Sequence, residues 1–317
     1  MKIVYMGTPD YAVGALDALC RAGHDIVAVI TQPDKAKGRS DKPVYSPVKA
    51  YAVEKQIPVF QPERIKRPEA VEELRRYPAD VFVVAAFGQI LSKEILDMPR
   101  FGCLNIHASL LPKYRGSSPI QWAVIDGEEK SGVTIMQMNE GIDTGDILYQ
   151  KEILLDKKET GATLFDKLTT LGAEAIVEAL SLLEAGKLKP VPQNESEASH
   201  TVMLSKAMGQ LDFSKSAEEL ERLIRGLNSW PSAYTFLEGK QLKIWEAEVY
   251  TPVEQTVDAC EGKYPVGSII KVTQDGFGIK CGSDALLVKE LQLEGKKRMS
   301  TRDFLMGKEL LPGTVLG

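Results

Sequence analysis

The stretch on which the reading of this chain turns is Phe101-Gly102-Cys103-Leu104-Asn105-Ile106-His107. It reads as a strand, and side chains two apart on a strand share a face, so Asn105 and His107 project together. Similar short apolar runs occur at residues 2–6, 26–31 and 81–86, with helical segments between them at 9–22, 46–55 and 68–77. Ser46-Pro47 is a good helix start, offering a capping hydroxyl and then a proline at the first helical position. Strands alternating with helices predict an α/β domain with a doubly wound, largely parallel sheet. Its ligand crevice is expected outside the carboxyl ends of the strands, where Asn105 and His107 lie. The runs at 133–138 and 147–155 continue the sheet with an antiparallel element. Leu164, Phe165, Leu168, Leu171, Ile176, Leu180 and Leu183 recur at helical spacing and predict a core-facing helix.

Working outward, 317 residues with 44% hydrophobic content suffice for two domains. The character changes after Gly186: Lys189-Pro190-Val191-Pro192-Gln193-Asn194-Glu195-Ser196-Glu197 is polar, proline-containing and aperiodic. It reads as a linker, 189–205, between a catalytic domain at 1–188 and a second domain at 206–317. The second domain has a helix at 216–225 and short strands at 234–236, 241–247, 267–272, 277–281 and 285–291. That spacing predicts a small β-barrel, with an oligonucleotide-binding type as one candidate. No apolar run reaches transmembrane length, and no leader segment precedes Ile3-Val4-Tyr5-Met6, so a cytoplasmic protein is expected. Cys20, Cys103, Cys260 and Cys281 lack metal-ligand spacing and read as reduced structural thiols. A net charge of −5 confines any RNA contact to local patches. Gly7 follows the first strand, but the two further glycines of a dinucleotide fingerprint are missing, and no P-loop is present.

The chemistry-bearing pattern is Asn105-x-His107 with Gly141-Ile142-Asp143-Thr144-Gly145. An amide donor and an imidazole flanking one point can bind an oxyanion and exchange a proton with a nitrogen, while a carboxylate fixes the imidazole tautomer. Asp143, between two glycines in a segment that turns sharply, fits the third role. Taken singly, each residue also has a plain reading: Asn105 ends a strand, His107 is a satisfied core histidine and Asp143 caps a turn.

With Ser109-Leu110-Leu111-Pro112-Lys113-Tyr114-Arg115-Gly116 beside the strand, these elements resemble the family of enzymes that use 10-formyltetrahydrofolate to formylate amines. Gly7-Thr8-Pro9-Asp10-Tyr11-Ala12, Gln32-Pro33-Asp34 and Glu294-Gly295-Lys296-Lys297-Arg298-Met299 are similar to its branch acting on methionine carried by initiator tRNA. The resemblance spans essentially the whole chain. It implies 10-formyltetrahydrofolate as formyl donor, no metal, initiator methionyl-tRNA as partner, no membrane, and a role in translation initiation; a monomer is expected. It also implies catalysis by Asn105, His107 and Asp143, and a folate crevice lined by Ser109, Leu110, Leu111 and Pro112, with the pterin near Gln89, Ile90 and Leu91. Arg39 is expected to reach the acceptor end of the tRNA.

Two residue patterns bear on the tRNA reading. Lys35 to Lys42 carries four cations in eight residues, either a solvated loop or an RNA contact. Lys296, Lys297 and Arg298, with Arg302, form a basic patch in a stretch, 206–317, that has 15 Lys and Arg against 16 Asp and Glu. A formyltransferase or formyl hydrolase acting on a glycinamide nucleotide or amino sugar nucleotide would share the catalytic segment and remains the competing reading. An RNA-binding scaffold would explain the barrel but leave the Asn105, His107 and Asp143 grouping without purpose. Asn228-Ser229-Trp230-Pro231-Ser232-Ala233 has serines where the family often carries proline and glycine, a departure that bears on tRNA docking.

Overall fold

The computed structural model describes residues 1–36, 43–251 and 264–317; Arg39 and Cys260 lie outside the described residues. The chain divides into two compact units. The first comprises Met1–Pro119, Lys130–Leu154 and Phe165–Thr201, the second Ile120–Glu129, Leu155–Leu164 and Val202–Gly317.

The first unit holds a seven-stranded sheet of β1 (Lys2–Gly7), β2 (Asp25–Ile30), β3 (Val59–Phe60), β4 (Val81–Ala85), β5 (Cys103–His107), β6 (Lys130–Gln137) and β7 (Ile147–Leu154). Their order is β7-β6-β5-β4-β1-β2-β3. The five strands from β5 to β3 run parallel, while β6 is antiparallel to both β5 and β7. Every residue of β4 and all but the first of β1 are buried, so these strands read as continuous apolar runs rather than alternating ones. Helices α1 (Tyr11–Arg21), α2 (Pro47–Glu54), α3 (Pro68–Arg75) and α4 (Gly161–Glu184) complete the α/β pattern. The Ser46 hydroxyl caps α2 by accepting from Lys49 N at 3.2 Å, as Ser46-Pro47 predicts. Along α4, Leu164, Leu168, Ile176 and Leu180 are fully buried, and Phe165 packs edge-on against Tyr11. β3 escapes the sequence reading because two residues are too few to show a period.

The polar stretch read as a linker is fastened to the first unit. Val191 exchanges backbone hydrogen bonds with Ile147 at 2.8 and 2.9 Å, and His200–Thr201 pairs in parallel with Arg115–Gly116. Its polarity comes from lying along the surface, and composition does not separate such a strap from a free span. Residues 120–129 and 155–164 cluster with the second unit although they precede the linker in sequence. A division set by spatial contacts need not be continuous along the chain.

The second unit is built on an antiparallel sheet of β8 (Ala233–Leu237), β9 (Lys240–Tyr250), β10 (Ile269–Thr273), β11 (Gly276–Lys280) and β12 (Ala285–Leu293) in the order β8-β9-β12-β11-β10; β13 (Met299–Ser300) adds to β12. β8 alternates, with Ala233, Thr235 and Leu237 buried and Tyr234 and Phe236 half-buried, the pattern of a sheet with one covered face. Glu238 and Gly239 both have positive φ, 51° and 74°, which suits the two-residue hairpin joining β8 to β9. Helix α5 (Ala217–Gly226) opens on a reciprocal capping box between Ser216 and Glu219 and buries Leu220 and Ile224 in the core of this unit. Among the described residues, no helix is long and apolar enough to cross a membrane, and no group of three or more His, Cys, Asp or Glu could hold a metal ion.

Candidate active site

The carboxyl ends of the parallel strands are tied together by short polar contacts. Gln32, just past β2, donates from Nε2 to the carbonyl of Phe87, past β4, at 3.2 Å; its backbone N–H donates to the Thr8 hydroxyl, past β1, at 3.3 Å. β5 ends at the same edge, at the position where the sheet changes from parallel to antiparallel pairing. Asn105 stands between Val84 and Met136, and His107 lies opposite Thr134.

One carboxylate collects both side chains. Asn105 Nδ2 donates to Asp143 Oδ1 at 3.4 Å, and His107 Nδ1 lies 3.6 Å from Asp143 Oδ2. Oδ2 also accepts the Gly116 N–H at 2.8 Å. His107 is buried, and its Nε2 lies 2.8 Å from the carbonyl oxygen of Tyr114. A carbonyl can only accept, so Nε2 carries a proton and Nδ1 is left facing the carboxylate. Asp143 adopts the left-handed conformation at φ 54°. The flanking glycine is required by space, since a Cβ on Gly145 would come within 1.7 Å of the Gln137 carbonyl oxygen. The structure thus brings Asn105, His107 and Asp143 together, and an amide N–H, an imidazole nitrogen and a carboxylate share one small volume. Such a set can bind an oxyanion, stabilise an imidazolium and relay a proton.

The neighbouring segment is held from below. Thr134 Oγ1 donates to the Ser109 carbonyl at 2.7 Å and accepts from Leu111 N at 3.0 Å, and Gln150 Nε2 donates to the Leu111 carbonyl at 3.0 Å. The Ser109 hydroxyl is spent on the Lys113 carbonyl at 2.7 Å. Ser109 and Leu111 are buried, whereas Leu110 and Pro112 keep part of their surface. Of the four residues expected to line a folate crevice, only Leu110 and Pro112 have side-chain surface to offer. In the loop after β4, Gln89 is committed at both ends, to Ile65 N at 2.7 Å and the Pro62 carbonyl at 3.0 Å, Leu91 is buried and Ile90 is exposed.

The residues flanking 37–42 are well anchored. Lys35–Ala36 pairs with Pro43–Val44, and Lys49 Nζ meets Asp34 Oδ2 at 2.5 Å. The Lys49 hydrogen bond, then that from Gln61, holds the Asp34 carboxyl below its ordinary range. In the second unit, Lys296, Lys297 and Arg298 are all exposed, and Arg298 is in addition paired with Glu290, its guanidinium 4.7 Å from the centre of the Trp245 ring. The three consecutive cations are therefore not equivalent.

Three polar residues at the site escape the sequence reading in this role: Arg115, Gln193 and Glu195. Arg115 Nη1 and Nη2 bond the two oxygens of Glu195 at 2.9 and 2.7 Å, and Arg115 Nε bonds Gln193 Oε1 at 3.0 Å. These partners are about eighty residues apart in sequence, so no local spacing signals them.

Residues 1–180 match the family described as formyl transferase, and residues 203–309 match the formyl transferase C-terminal domain. A relative from Lachnospira eligens named methionyl-tRNA formyltransferase is 56% identical over 317 residues, covering 100% of both chains. One of the same name from Agathobacter rectalis is 50% identical over 314 residues, covering 99% of each. Among solved structures, an N-formyltransferase from Helicobacter canadensis in complex with folinic acid and dTDP-3-aminofucose shares the fold. Its TM-score is 0.67 at 18% identity, covering 91% of this chain and 98% of that one. HypX from Aquifex aeolicus in complex with tetrahydrofolic acid gives a TM-score of 0.59 at 18% identity, covering 96% of this chain and 47% of that one. At such identities the likeness to the solved structures shows the fold alone.

Proposed function

This chain belongs to the formyl transferase family, in its methionyl-tRNA formyltransferase branch, and on that premise we propose how its residues divide the reaction. The enzyme transfers the formyl group of 10-formyltetrahydrofolate to the α-amino group of methionine on initiator methionyl-tRNA, preparing it for translation initiation. That amine attacks the formyl carbon carried on N10 of the folate and forms a tetrahedral oxyanion. As the intermediate collapses, the bond to N10 breaks, the new amide forms, and the proton lost by the amine is balanced by one delivered to N10. Asn105 Nδ2 donates to the oxyanion. With Nε2 given to the Tyr114 carbonyl and Nδ1 beside the Asp143 carboxylate, protonated His107 adds its charge to the stabilisation of the oxyanion, and Asp143 orients the imidazolium and helps take up the proton from the amine.

The observation that carries this reading is the convergence of Asn105 Nδ2 and His107 Nδ1 on the Asp143 carboxylate, at 3.4 and 3.6 Å. Leu110 and Pro112 offer apolar surface to the folate, and the buried Ser109 and Leu111 keep that segment in place. Residues 206–317 bind tRNA through the exposed Lys296, Lys297 and Arg298, and Arg39 reaches its acceptor end. A cytoplasmic location follows from the need to meet charged tRNA. The test is to incubate the protein with 10-formyltetrahydrofolate and, separately, methionyl initiator tRNA, free methionine, glycinamide ribonucleotide and a dTDP-linked amino sugar. Formyl appears on the tRNA-borne methionine; transfer to a small amine in preference to the tRNA overturns the assignment.

A further inference from the structure

The loop that carries Asp143 is gripped through its main chain. Gln193 Nε2 donates to the carbonyl oxygens of Asp143 at 2.8 Å and Gly145 at 2.7 Å, while Gln193 Oε1 accepts from Arg115 Nε at 3.0 Å. The amide has only one workable orientation. Turned over, it would set its oxygen against two carbonyls and its NH2 against a guanidinium N–H. Arg115 is 1% exposed, and its two terminal nitrogens form a bidentate pair with Glu195, which fixes the guanidinium plane and hence the direction of Nε. The residue after Arg115 is Gly116, whose N–H holds the Asp143 side chain at 2.8 Å. Asp143 is thus held at its carboxylate through Gly116 and at its carbonyl through Gln193, and both holds trace back to Arg115.

This external grip answers a local need. Asp143 occupies the left-handed region at φ 54°, uncommon for a residue with a Cβ though better tolerated by Asp than by most, so contacts from outside the turn help to keep it there. We propose that Arg115, Gln193 and Glu195 form a latch that sets the position of Asp143 for formyl transfer, with Gln193 a positioning residue that acts on the reaction through Asp143. The inference rests on the role assigned to Asp143 in the proposed function. It gives the polar strap at 189–197 a task in the chemistry beyond joining two parts of the chain.

A double-mutant cycle tests it. Gln193→Leu, one bond shorter and apolar, removes both donors and the acceptor. A misplaced catalytic group costs about 10²-fold, so kcat falls by up to about that much, with KM for both substrates within about twofold. Placed in an Asp143→Asn background, the same change lowers kcat by less than about twofold, because the group it positions is already disabled. Gln193→Glu keeps the acceptor for Arg115 Nε and loses the donors to the loop, so it repeats the result if the leucine variant does not fold; thermal unfolding of each variant identifies that case. Equal losses of kcat in the two backgrounds, or wild-type kcat in both Gln193 variants, overturn the latch. Full activity of Asp143→Asn alone overturns the role of Asp143 instead, so the two failures are told apart.

Discussion

Replacing Asp143 with asparagine alters few atoms and disturbs two interactions. The oxygen of the new amide can keep the bond from Gly116 N–H, now at 2.8 Å. Its NH2 group then takes the place of Oδ1, 3.4 Å from Asn105 Nδ2, so donor faces donor. Asn105 must turn its own amide over to present oxygen, which moves its N–H donors away from the oxyanion. Losing one such donor costs about 10²–10³ in kcat. The second disturbance is the loss of negative charge 3.6 Å from His107 Nδ1. Two unit charges at this separation interact by about 4 kcal/mol at an effective dielectric of about 20. The Asp143 side chain is 15% exposed and so partly screened. Halving the interaction leaves about 2 kcal/mol, or about 30-fold in rate. The two losses share one carboxylate and overlap, so a fall in kcat of about 10²–10³ is expected rather than their product. Initial rates of formylation at saturating 10-formyltetrahydrofolate and methionyl-tRNA measure it, with KM determined for each substrate. A kcat within about fivefold of wild type, or a loss confined to KM, would refute the argument and reduce Asp143 to a turn residue.

Asn105→Ala and His107→Ala should each lower kcat by about 10²-fold or more while tRNA affinity, read by filter binding, stays nearly unchanged. Arg39→Ala should impair formylation of methionyl-tRNA strongly and spare the slow release of formyl from the folate to water; equal loss of both would place the loop at the folate site. Removing Lys296 and Lys297 should flatten the slope of log K against log salt by about 1 or less for each phosphate no longer neutralised. Arg298→Ala should change that slope less and lower the melting temperature more, because this side chain is paired with Glu290 and stacked on Trp245. Glu195 is held below its ordinary carboxylate range, chiefly by its hydrogen bond from Arg115. A carboxylate with a depressed folded-state pKa stabilises the fold above its unfolded value, and that contribution fades as pH falls through the folded value. Glu195→Gln should therefore unfold more easily than wild type at neutral pH, and the gap measured by thermal unfolding should close at acid pH.

By itself the sequence determines the longer elements and the faces of this protein, though not the two-residue β3. Alternating apolar runs and helical segments suffice for a parallel sheet, because burial on both faces leaves its own mark on composition. The two-residue period places Asn105 and His107 on one face of β5, and the capping residue Ser46 announces the start of α2 because it acts within three residues. The pairing of Asp143 with that strand was accessible only as chemistry that would make sense if the loop returned there. Tertiary structure alone decided that Arg115, which reads as one of two cations beside a glycine, turns inward. A buried guanidinium needs acceptors, and these come from Gln193 and Glu195 on a strap whose composition suggests a loose linker. Tertiary structure likewise distinguished Lys296, Lys297 and Arg298, three exposed cations of which Arg298 is also engaged by Glu290 of β12. Periodicity reports whether a side chain faces water or core, but it is blind to which distant group completes a hydrogen bond. The geometry that makes three ordinary residues a reactive set is made of such distant bonds.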